Sequence, residues 1–336
     1  MNSMLTFANK YFRIAVVGAL AVSCLILQAK EAGGANVQQK FSSLQHAVSQ
    51  KEYHLVVDAG KAILAIAPQS PFASEATFCV GVAYFHLKDY DLANQYFSTF
   101  LEKYATPNYF EESVEYKYKI AYEFEMGSGR HMFGVEALPK WVNAWEDALE
   151  IYEEVIKTLP NSEVAGKALF RKAAMQYKER KAKESIETYR MITRKFPKHP
   201  LAPESYLEIA KILFNHSNND YPDKDFLEQA RMNAQRFRRD FPSEHRIQEV
   251  EKLLVQMEDV YAEDLWGSAK YFEKKKNFDA ARLYLEKIAR LYPESTYAKE
   301  AVAKLNAKEL STLTVEQNFI EDKARQSSDV QSQLEL

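Results

Sequence analysis

The chain has 336 residues, with only 10 glycines and 11 prolines but 20 tyrosines and 20 phenylalanines, and its formal net charge is -3. Glycine and proline are too scarce for a collagen-like or low-complexity chain, and a hydrophobic fraction of 46% excludes wholesale disorder. The nearly balanced charge provides no basic field for nucleic acid, and two cysteines, Cys24 and Cys79, are too few for a disulfide framework.

Residues 1–29 are predicted to be a secretory signal. Lys10 and Arg13 precede the apolar run 14–27, which has the length of a signal's apolar region and is short for a membrane-spanning helix. Cleavage after Ala29 is one processing route. An uncleaved signal anchor is another, and both routes place the rest of the chain outside the cytoplasm.

A third route depends on the segment Ala21-Val22-Ser23-Cys24, which resembles a bacterial lipoprotein box. In that case residues 1–23 would be removed, and the thiol of Cys24 would carry the lipid. Acyl chains contribute about 0.8 kcal/mol per buried CH₂ group, so several chains would hold the protein on a membrane. The polar, glycine-containing segment 30–39 is then expected to be a tether.

A spacing pattern recurs throughout residues 40–310. It consists of a small residue, a second residue four positions later that is usually large, and a proline eight positions after that. The clearest copies are Ala148/Tyr152/Pro160, Ser185/Tyr189/Pro197, Ala230/Ala234/Pro242 and Ala281/Leu285/Pro293. Two weaker copies are Ala93/Phe97/Ala105, with its proline displaced to Pro107, and Val56/Gly60/Pro68.

This pattern has a physical reason. Small residues let two antiparallel helices approach closely, and a large residue four positions later lies on the same helical face and fills the remaining gap. The proline ends the second helix. The turns between helices carry a lysine and, two positions later, an aromatic residue, as in Lys51-Glu52-Tyr53, Lys88-Asp89-Tyr90 and Lys276-Asn277-Phe278.

The spacing resembles the tetratricopeptide repeat, in six copies of varied length. The resemblance implies an all-α fold, a right-handed superhelix of about six helix-turn-helix repeats with insertions. An aromatic-rich helical bundle is the alternative. The insertions are expected at residues 126–139, 215–225 and 243–264, the last as an amphipathic helix. A capping helix is expected at 297–310, followed by a disordered acidic tail at 311–336.

No catalytic or metal-binding constellation is found, and no cofactor is expected. No two of the seven histidines have His-x-x-x-His spacing, and no cysteine pair accompanies them. Residues 127–130 lack the Lys-Ser/Thr of a phosphate-binding loop. Cys79 lies on an apolar repeat helix and is interpreted as a core thiol. The chain is therefore not expected to be an enzyme.

Basic side chains cluster in one place, at Arg231, Arg236, Arg238 and Arg239. They could be a solvated helix end that complements the helix dipole, or a docking site for an acidic partner surface. The glycine-containing insertion could be a plain connector or a binding element, in which case Arg130, His131, Met132 and Phe133 are the residues of interest.

Several segments are similar to one family with tetratricopeptide repeats, the outer-membrane assembly lipoprotein BamD. They include Pro71–Ala76, the repeat end Phe237–Ser243 and the long stretch from Leu253 to Ala301. The resemblance covers roughly residues 40–303. The chain differs from the family in its greater length, its glycine-containing insertion and its atypical lipoprotein box.

The resemblance implies a non-enzymatic scaffold of the machinery that folds β-barrel proteins into the outer membrane. The expected location is the periplasmic face of that membrane, or the soluble periplasm without lipidation. The C-terminal half would dock a barrel-assembly subunit, and the N-terminal repeats would bind unfolded outer-membrane protein segments; no nucleic acid partner is expected. The alternative is a periplasmic adaptor for other envelope complexes, in cell division or cell-wall coordination.

The repeat phase also predicts residues that line a concave groove. First helices line such a groove, and apolar or aromatic side chains there suit extended, aromatic-rich segments. The predicted groove residues are Phe41, Phe78, Val82, Phe85 and His86. Packing of Phe78 and Phe85 between repeats is the alternative.

Overall fold

A computed structural model describes residues 36–104, 108–217 and 224–307. The predicted signal at 1–29, the predicted lipidation site Cys24 and the tail predicted at 311–336 lie outside the described residues. The chain divides into two compact units, Met1–Ala168 and Leu169–Leu336, and the division falls within one helix. Each unit is a series of antiparallel helix pairs.

The first unit begins with a helix over residues 36–50, so residues 36–39 of the predicted tether are already helical. We name this helix α1. The helices that follow are α2 (Tyr53–Ile66), α3 (Ala73–His86), α4 (Tyr90–Lys103), α5 (Phe110–Glu125), α6 (Trp145–Thr158) and α7 (Glu163–Lys178), within which the division falls. Neighbouring helices pack on one another from α2 through α6.

The second unit continues the pairing. Its helices are α8 (Ala182–Lys195), α9 (Leu201–Ser217), α10 (Lys224–Asp240), α11 (Ile247–Lys274), α12 (Phe278–Leu291) and a last helix, α13, over residues 296–307. Both ends of the polar loop predicted at 215–225 are helical, because α9 extends to Ser217 and α10 begins at Lys224; the residues between them lie outside the described ranges.

The amphipathic helix predicted at 243–264 is not a separate element. It is continuous with the first helix of the last repeat, and together they form the single long helix α11. Val250 at its start is buried with Tyr206 and Phe237. Near its end, Phe272 stacks on Tyr284 of α12 at 5.5 Å between ring centroids. The two halves of α11 therefore pack against different helices.

The repeat spacing predicted the core correctly. In α4 the small residue Ala93 and the large residue Phe97 are both fully buried. A Cβ atom placed on Gly81 of α3 would lie only 3.0 Å from the Phe97 ring, which shows that these two helices approach as closely as the spacing requires. The same burial recurs at Tyr152 and Leu285. The all-α fold of tetratricopeptide-repeat type is confirmed.

The turns between paired helices share one backbone conformation. Lys51, Lys88, Arg180 and Lys276 all have a positive φ, between 58° and 62°. The amide after each donates to the carbonyl five residues before it, as from Asp89 to Tyr84 at 2.9 Å. This is the Schellman ending of a helix, in which glycine usually occupies the left-handed position. Here lysine or arginine occupies it, which helps to explain why glycine is scarce.

The insertion between α5 and α6 contains the strands found in the described part of the chain. β1 (Gly129–Arg130) pairs antiparallel with β2 (Val142–Asn143), and a short 3₁₀ turn, Met132–Gly134, lies between them. Gly129 has no room for a side chain, since an added Cβ would lie 2.4 Å from the Lys140 carbonyl oxygen. The insertion is therefore a folded hairpin.

Candidate partner-binding surfaces

Two of the five predicted groove residues are buried. The Phe41 ring stacks on Phe72 at 4.4 Å. Phe78 is only 6% exposed, stacks on Tyr109 at 4.4 Å and contacts the Phe97 ring edge at 6.0 Å. The prediction that Phe41 and Phe78 line a groove is therefore corrected: their rings fill gaps between helices, where burial of the aromatic surface stabilises them most.

The other three groove residues remain accessible at the C-terminal end of α3. Val82 and Phe85 are half-buried, and His86 is exposed. Phe85 packs edge-on against Tyr116 at 5.1 Å, and the His86 ring stacks on Tyr53 at 4.5 Å. We call Val82, Phe85 and His86 the α3 surface.

The His86 ring is held in its neutral form. Partial burial lowers its pKa below the usual value of 6.5, and the positive charges of Lys51 and Lys119 lower it further. At neutral pH the ring is therefore uncharged. The α3 surface thus offers aromatic and apolar groups to a partner.

The insertion hairpin is fastened to the repeats through Glu136. Its carboxylate accepts a hydrogen bond from Lys61 of α2 at 2.9 Å and another from the Tyr84 hydroxyl of α3 at 3.1 Å. The contact with Lys61 lowers the pKa of Glu136 below its usual value. Partial burial alone would lower the pKa of Lys61, but its contacts with Tyr84 and Glu136 raise it overall.

A second set of contacts holds the other side of the hairpin. His131 is buried, and its Nδ1 lies 2.8 Å from a carboxylate oxygen of Asp91. Its Nε2 lies 3.5 Å from Asp89, which also pairs with Lys140 at 2.5 Å. Lys140 donates in addition to the Lys88 carbonyl oxygen. His131 therefore anchors the hairpin and is not available to a partner.

The hairpin presents two large aromatic side chains to solvent. Phe133 is 85% exposed and Trp141 is 81% exposed. Phe133 also has a φ of 55°, which is uncommon for a residue with a side chain. Of the four insertion residues that the sequence analysis names, Phe133 is the one whose side chain is exposed to solvent. Arg130 is half-buried and pairs with Asp147 at 3.1 Å.

The four arginines predicted as one docking cluster lie on two faces of α10. Arg231 pairs at 2.6 Å with Glu258, whose side chain is only 1% exposed, and Arg238 pairs at 2.6 Å with Glu251. Both partners belong to α11. Residues seven apart share a helical face, which is why Arg231 and Arg238 are directed at the same helix.

Arg236 and Arg239 lie on the other face of α10, and they line a pocket with two arginines of α8. Those two, Arg190 and Arg194, were not singled out from sequence. A signal was present, because Arg194 and Arg239 both stand three residues before a repeat proline. The single predicted cluster is therefore corrected to two separate groups.

The described residues offer few groups that could react with a substrate or bind a metal ion. Burial, together with the nearby carboxylates of Glu75 and Glu112, raises the pKa of the Cys79 thiol to about 12. In the described ranges no group of three histidine, cysteine or acidic residues is placed to hold a metal ion. Across the same ranges, none of the helices is long and apolar enough to cross a membrane.

Several solved structures resemble the chain at low sequence identity. A TPR-repeat protein from Bacteroides fragilis is 13% identical, with a TM-score of 0.39, over 81% of this chain and 98% of that one. A tetratricopeptide-repeat protein from Parabacteroides merdae is 11% identical, with a TM-score of 0.37, over 80% and 96%. PilF of Pseudomonas aeruginosa is 16% identical, with a TM-score of 0.32, over 82% and 98%. No curated protein matches significantly.

Two family models match the sequence. A tetratricopeptide-repeat model matches residues 80–106, which contain the second half of α3 and all of α4. The model of the YfiO family, described as outer membrane lipoprotein, matches residues 130–324. These are scaffold families that act through protein interactions, and YfiO membership supports a location in the cell envelope. Because the second match covers more than half of the chain, the protein belongs to the YfiO family of outer-membrane lipoproteins, the BamD family that the sequence resembles.

Proposed function

We propose that the protein is a non-enzymatic adaptor in the assembly of outer-membrane β-barrel proteins. The observation that carries this proposal is the match of residues 130–324 to an outer-membrane lipoprotein family. The adaptor binds other subunits of the assembly machinery and unfolded segments of barrel proteins. It acts at the periplasmic face of the outer membrane, held there by a lipid on Cys24.

The α3 surface is the proposed site for unfolded segments. Exposed His86 stacks on Tyr53 and meets the ring of half-buried Phe85 edge-on, so one face offers several rings. Aromatic rings supply a large contact area with few side-chain torsions to order, which suits clients that are rich in aromatic residues.

The proposed docking charge rests on Arg236, because Asp240 already pairs with Arg239 at 2.8 Å. Arg231 and Arg238 carry the same charge, but Glu258 and Glu251 already compensate them. An acidic partner surface would gain little from charges that are already paired, and exposed ion pairs contribute little in any case. The free positive charge of α10 is therefore directed at the pocket shared with α8.

Photo-crosslinking in the envelope tests the proposed function. A photoreactive amino acid replaces Phe85 in the α3 surface, and a matched control variant carries it at exposed Leu283 of α12. We expect the Phe85 variant to form crosslinks with unfolded barrel proteins. Purification after general crosslinking should also recover barrel-assembly subunits.

Recovery of other envelope proteins would favour the alternative function. If cell-division or cell-wall proteins are recovered and barrel-assembly subunits are absent, the protein is an adaptor for other envelope complexes. The anchor is tested separately by mass spectrometry of the mature N-terminus with and without globomycin, which blocks lipoprotein signal cleavage. An unmodified N-terminus near Lys30 would exclude lipidation of Cys24.

A further inference from the structure

A pocket of about 470 Å³ lies in the second unit, where α8, α9 and α10 meet. Four arginines line it, two from α8 and two from α10, and Tyr206 of α9 contributes to the wall. The lining residues are Arg190, Thr193, Arg194, Tyr206, Gln229, Met232, Asn233, Arg236, Arg239 and Asp240. We call it the arginine pocket.

The arginines of this pocket are only partly compensated. Glu187 pairs with both Arg190, at 3.7 Å, and Arg194. Asp240 pairs with Arg239 at 2.8 Å. Three of the four guanidinium groups are thus in contact with two carboxylates and the fourth, that of Arg236, with neither, which leaves an excess of two positive charges.

Arg236 carries the clearest part of this excess. Among the described residues it has no ion-pair partner, and no hydrogen bond of its guanidinium is found there. Asp240 cannot compensate it fully, since one of its oxygens accepts from Arg239 and the other accepts from the Tyr206 hydroxyl at 2.7 Å. The Arg236 guanidinium therefore faces the pocket with its donors available.

The position of Arg190 is fixed on the pocket wall. Its Nη2 donates to Gln229 at 2.9 Å, and its side chain is about one quarter exposed. Burial lowers the pKa of Arg190, and the nearby charges of Arg236 and Arg194 lower it further although Glu187 opposes them. Like charges are thus held close together, and an anion in the pocket would relieve their repulsion.

We propose that the arginine pocket binds the phosphate dianion of a phosphate monoester. Guanidinium groups bind phosphate oxygens through paired parallel hydrogen bonds, and several guanidiniums can share one tetrahedral anion. A dianion would balance the two excess charges, whereas a single carboxylate would leave one. The volume also lies in the range of small-molecule pockets. Arg236 of this pocket also carries the proposed docking charge, but phosphate binding is measured without an assembly partner, so the two proposals can fail separately.

Isothermal titration of the full chain, purified in a detergent without phosphate groups, tests the site. Inorganic phosphate is added at about pH 8, where it is a dianion. We expect saturable binding by the wild type and at least about tenfold weaker binding by Arg236→Gln, because a charge-assisted hydrogen bond contributes about 1.5–3 kcal/mol. Arg190→Gln should also weaken binding.

Arg238→Gln is the matched control, since it removes the same charge from the other face of the same helix. It should bind phosphate as the wild type does. Thermal melts check folding, and Arg236→Gln should melt with the wild type because its side chain is exposed and unpaired. The absence of saturable binding, or equal weakening by Arg236→Gln and Arg238→Gln, would overturn the proposal.

Two further titrations identify the source of the phosphate. Binding of a soluble sugar phosphate supports a free metabolite, while Arg236-dependent binding to vesicles that contain phosphatidic acid supports a lipid headgroup. Either result upholds the phosphate site. If a glutamate-rich peptide binds and phosphate does not, the pocket is a site for an acidic protein segment. That result would refute the phosphate site.

Discussion

The Tyr84 hydroxyl donates a 3.1 Å hydrogen bond to the Glu136 carboxylate, across 52 residues of sequence. The second oxygen of the same carboxylate accepts from Lys61 at 2.9 Å. One residue of the insertion is therefore held by two helices of the preceding repeats. These contacts, together with those of His131, keep exposed Phe133 and Trp141 on a fixed hairpin.

Glu136→Gln should loosen the hairpin. The substitution removes the charge that pairs with Lys61, so hydrogen exchange at residues 129–143 should become several-fold faster near neutral pH. The free energy of unfolding should fall by less than about 1 kcal/mol, because the Glu136 side chain is 52% exposed. Hydrogen exchange with mass spectrometry measures the first effect, and denaturant melts measure the second.

Protection of the hairpin from hydrogen exchange should depend on pH, because the pKa of Glu136 is lowered in the folded protein. The stabilisation by this carboxylate is present above its unfolded pKa, about 4.3, and is lost as the pH falls through the lower folded pKa. Hydrogen exchange of the wild-type hairpin, corrected for intrinsic exchange rates, should therefore become faster in acid. The same change of pH should accelerate exchange in Glu136→Gln by a smaller factor.

Glu286→Gln is the matched control for this experiment. Glu286 has a similar exposure, 54%, but its partner among the described residues is Arg282, one turn away on the same helix α12. Its substitution should leave hairpin exchange unchanged. Identical exchange in Glu136→Gln and the wild type would show that this carboxylate does not hold the hairpin.

Gly60→Ala should destabilise the first unit. An added Cβ would lie 2.3 Å from Cγ2 of Val80, which is fully buried on α3. A β-branched side chain has little freedom to move aside, so α2 and α3 must shift apart. We expect the free energy of unfolding from urea melts to fall by about 1–3 kcal/mol.

Gly267→Ala is the matched control for Gly60→Ala, because it makes the same substitution at a position where no neighbouring helix lies close to the new Cβ. Gly267 lies within α11, and nothing lies within 4 Å of an added Cβ. Alanine is favoured over glycine inside a helix by about 1 kcal/mol, so this variant should be more stable than the wild type. Stabilisation by both variants would mean that helix propensity, and not the contact with Val80, governs Gly60.

The repeats were predictable because their signals are local. Ala93 and Phe97 stand four residues apart on one helix, and the turn Lys88-Asp89-Tyr90 marks where that helix begins. Arg180 adopts the same left-handed turn conformation as Lys88. The sequence does not mark this turn, because Ala182 stands where the other turns have an aromatic residue.

The contacts that shape the surfaces were not predictable, because they join distant parts of the chain. Glu136 and Lys61 are 75 residues apart, and neither lies in a repeat signature. Helical geometry separates Arg231 from Arg236, but sequence does not say that Glu258 neutralises the former. The burial of Phe78 likewise depends on Tyr109, which approaches from the start of the next repeat.

Cys79 should be nearly inert toward alkylation in the folded protein. Burial and two nearby carboxylates raise the pKa of its thiol to about 12, so little thiolate exists near pH 8. We expect iodoacetamide to label it at least about a hundredfold more slowly than in the urea-unfolded chain. Mass spectrometry of the Cys79 peptide separates it from Cys24. Equal rates in the two states would refute the raised pKa.

Lys276→Gly should stabilise the last repeat. Lys276 is exposed and has a φ of 58°, a left-handed conformation that costs a residue with a side chain roughly 1–2 kcal/mol. Glycine adopts it without that cost and keeps the hydrogen bond from the Asn277 amide to the Phe272 carbonyl. Denaturant melts should show a free energy of unfolding higher by about 1 kcal/mol.

Lys274→Gly is the matched control for the last repeat, because it removes the same side chain two positions earlier, at the end of α11. There the backbone is helical, so glycine should lower the free energy of unfolding by about 1 kcal/mol. Both variants lose one positive charge, so opposite signs can arise only from the backbone conformation at each position. Destabilisation by both would contradict a left-handed Lys276, and with it the shared turn conformation of the repeats.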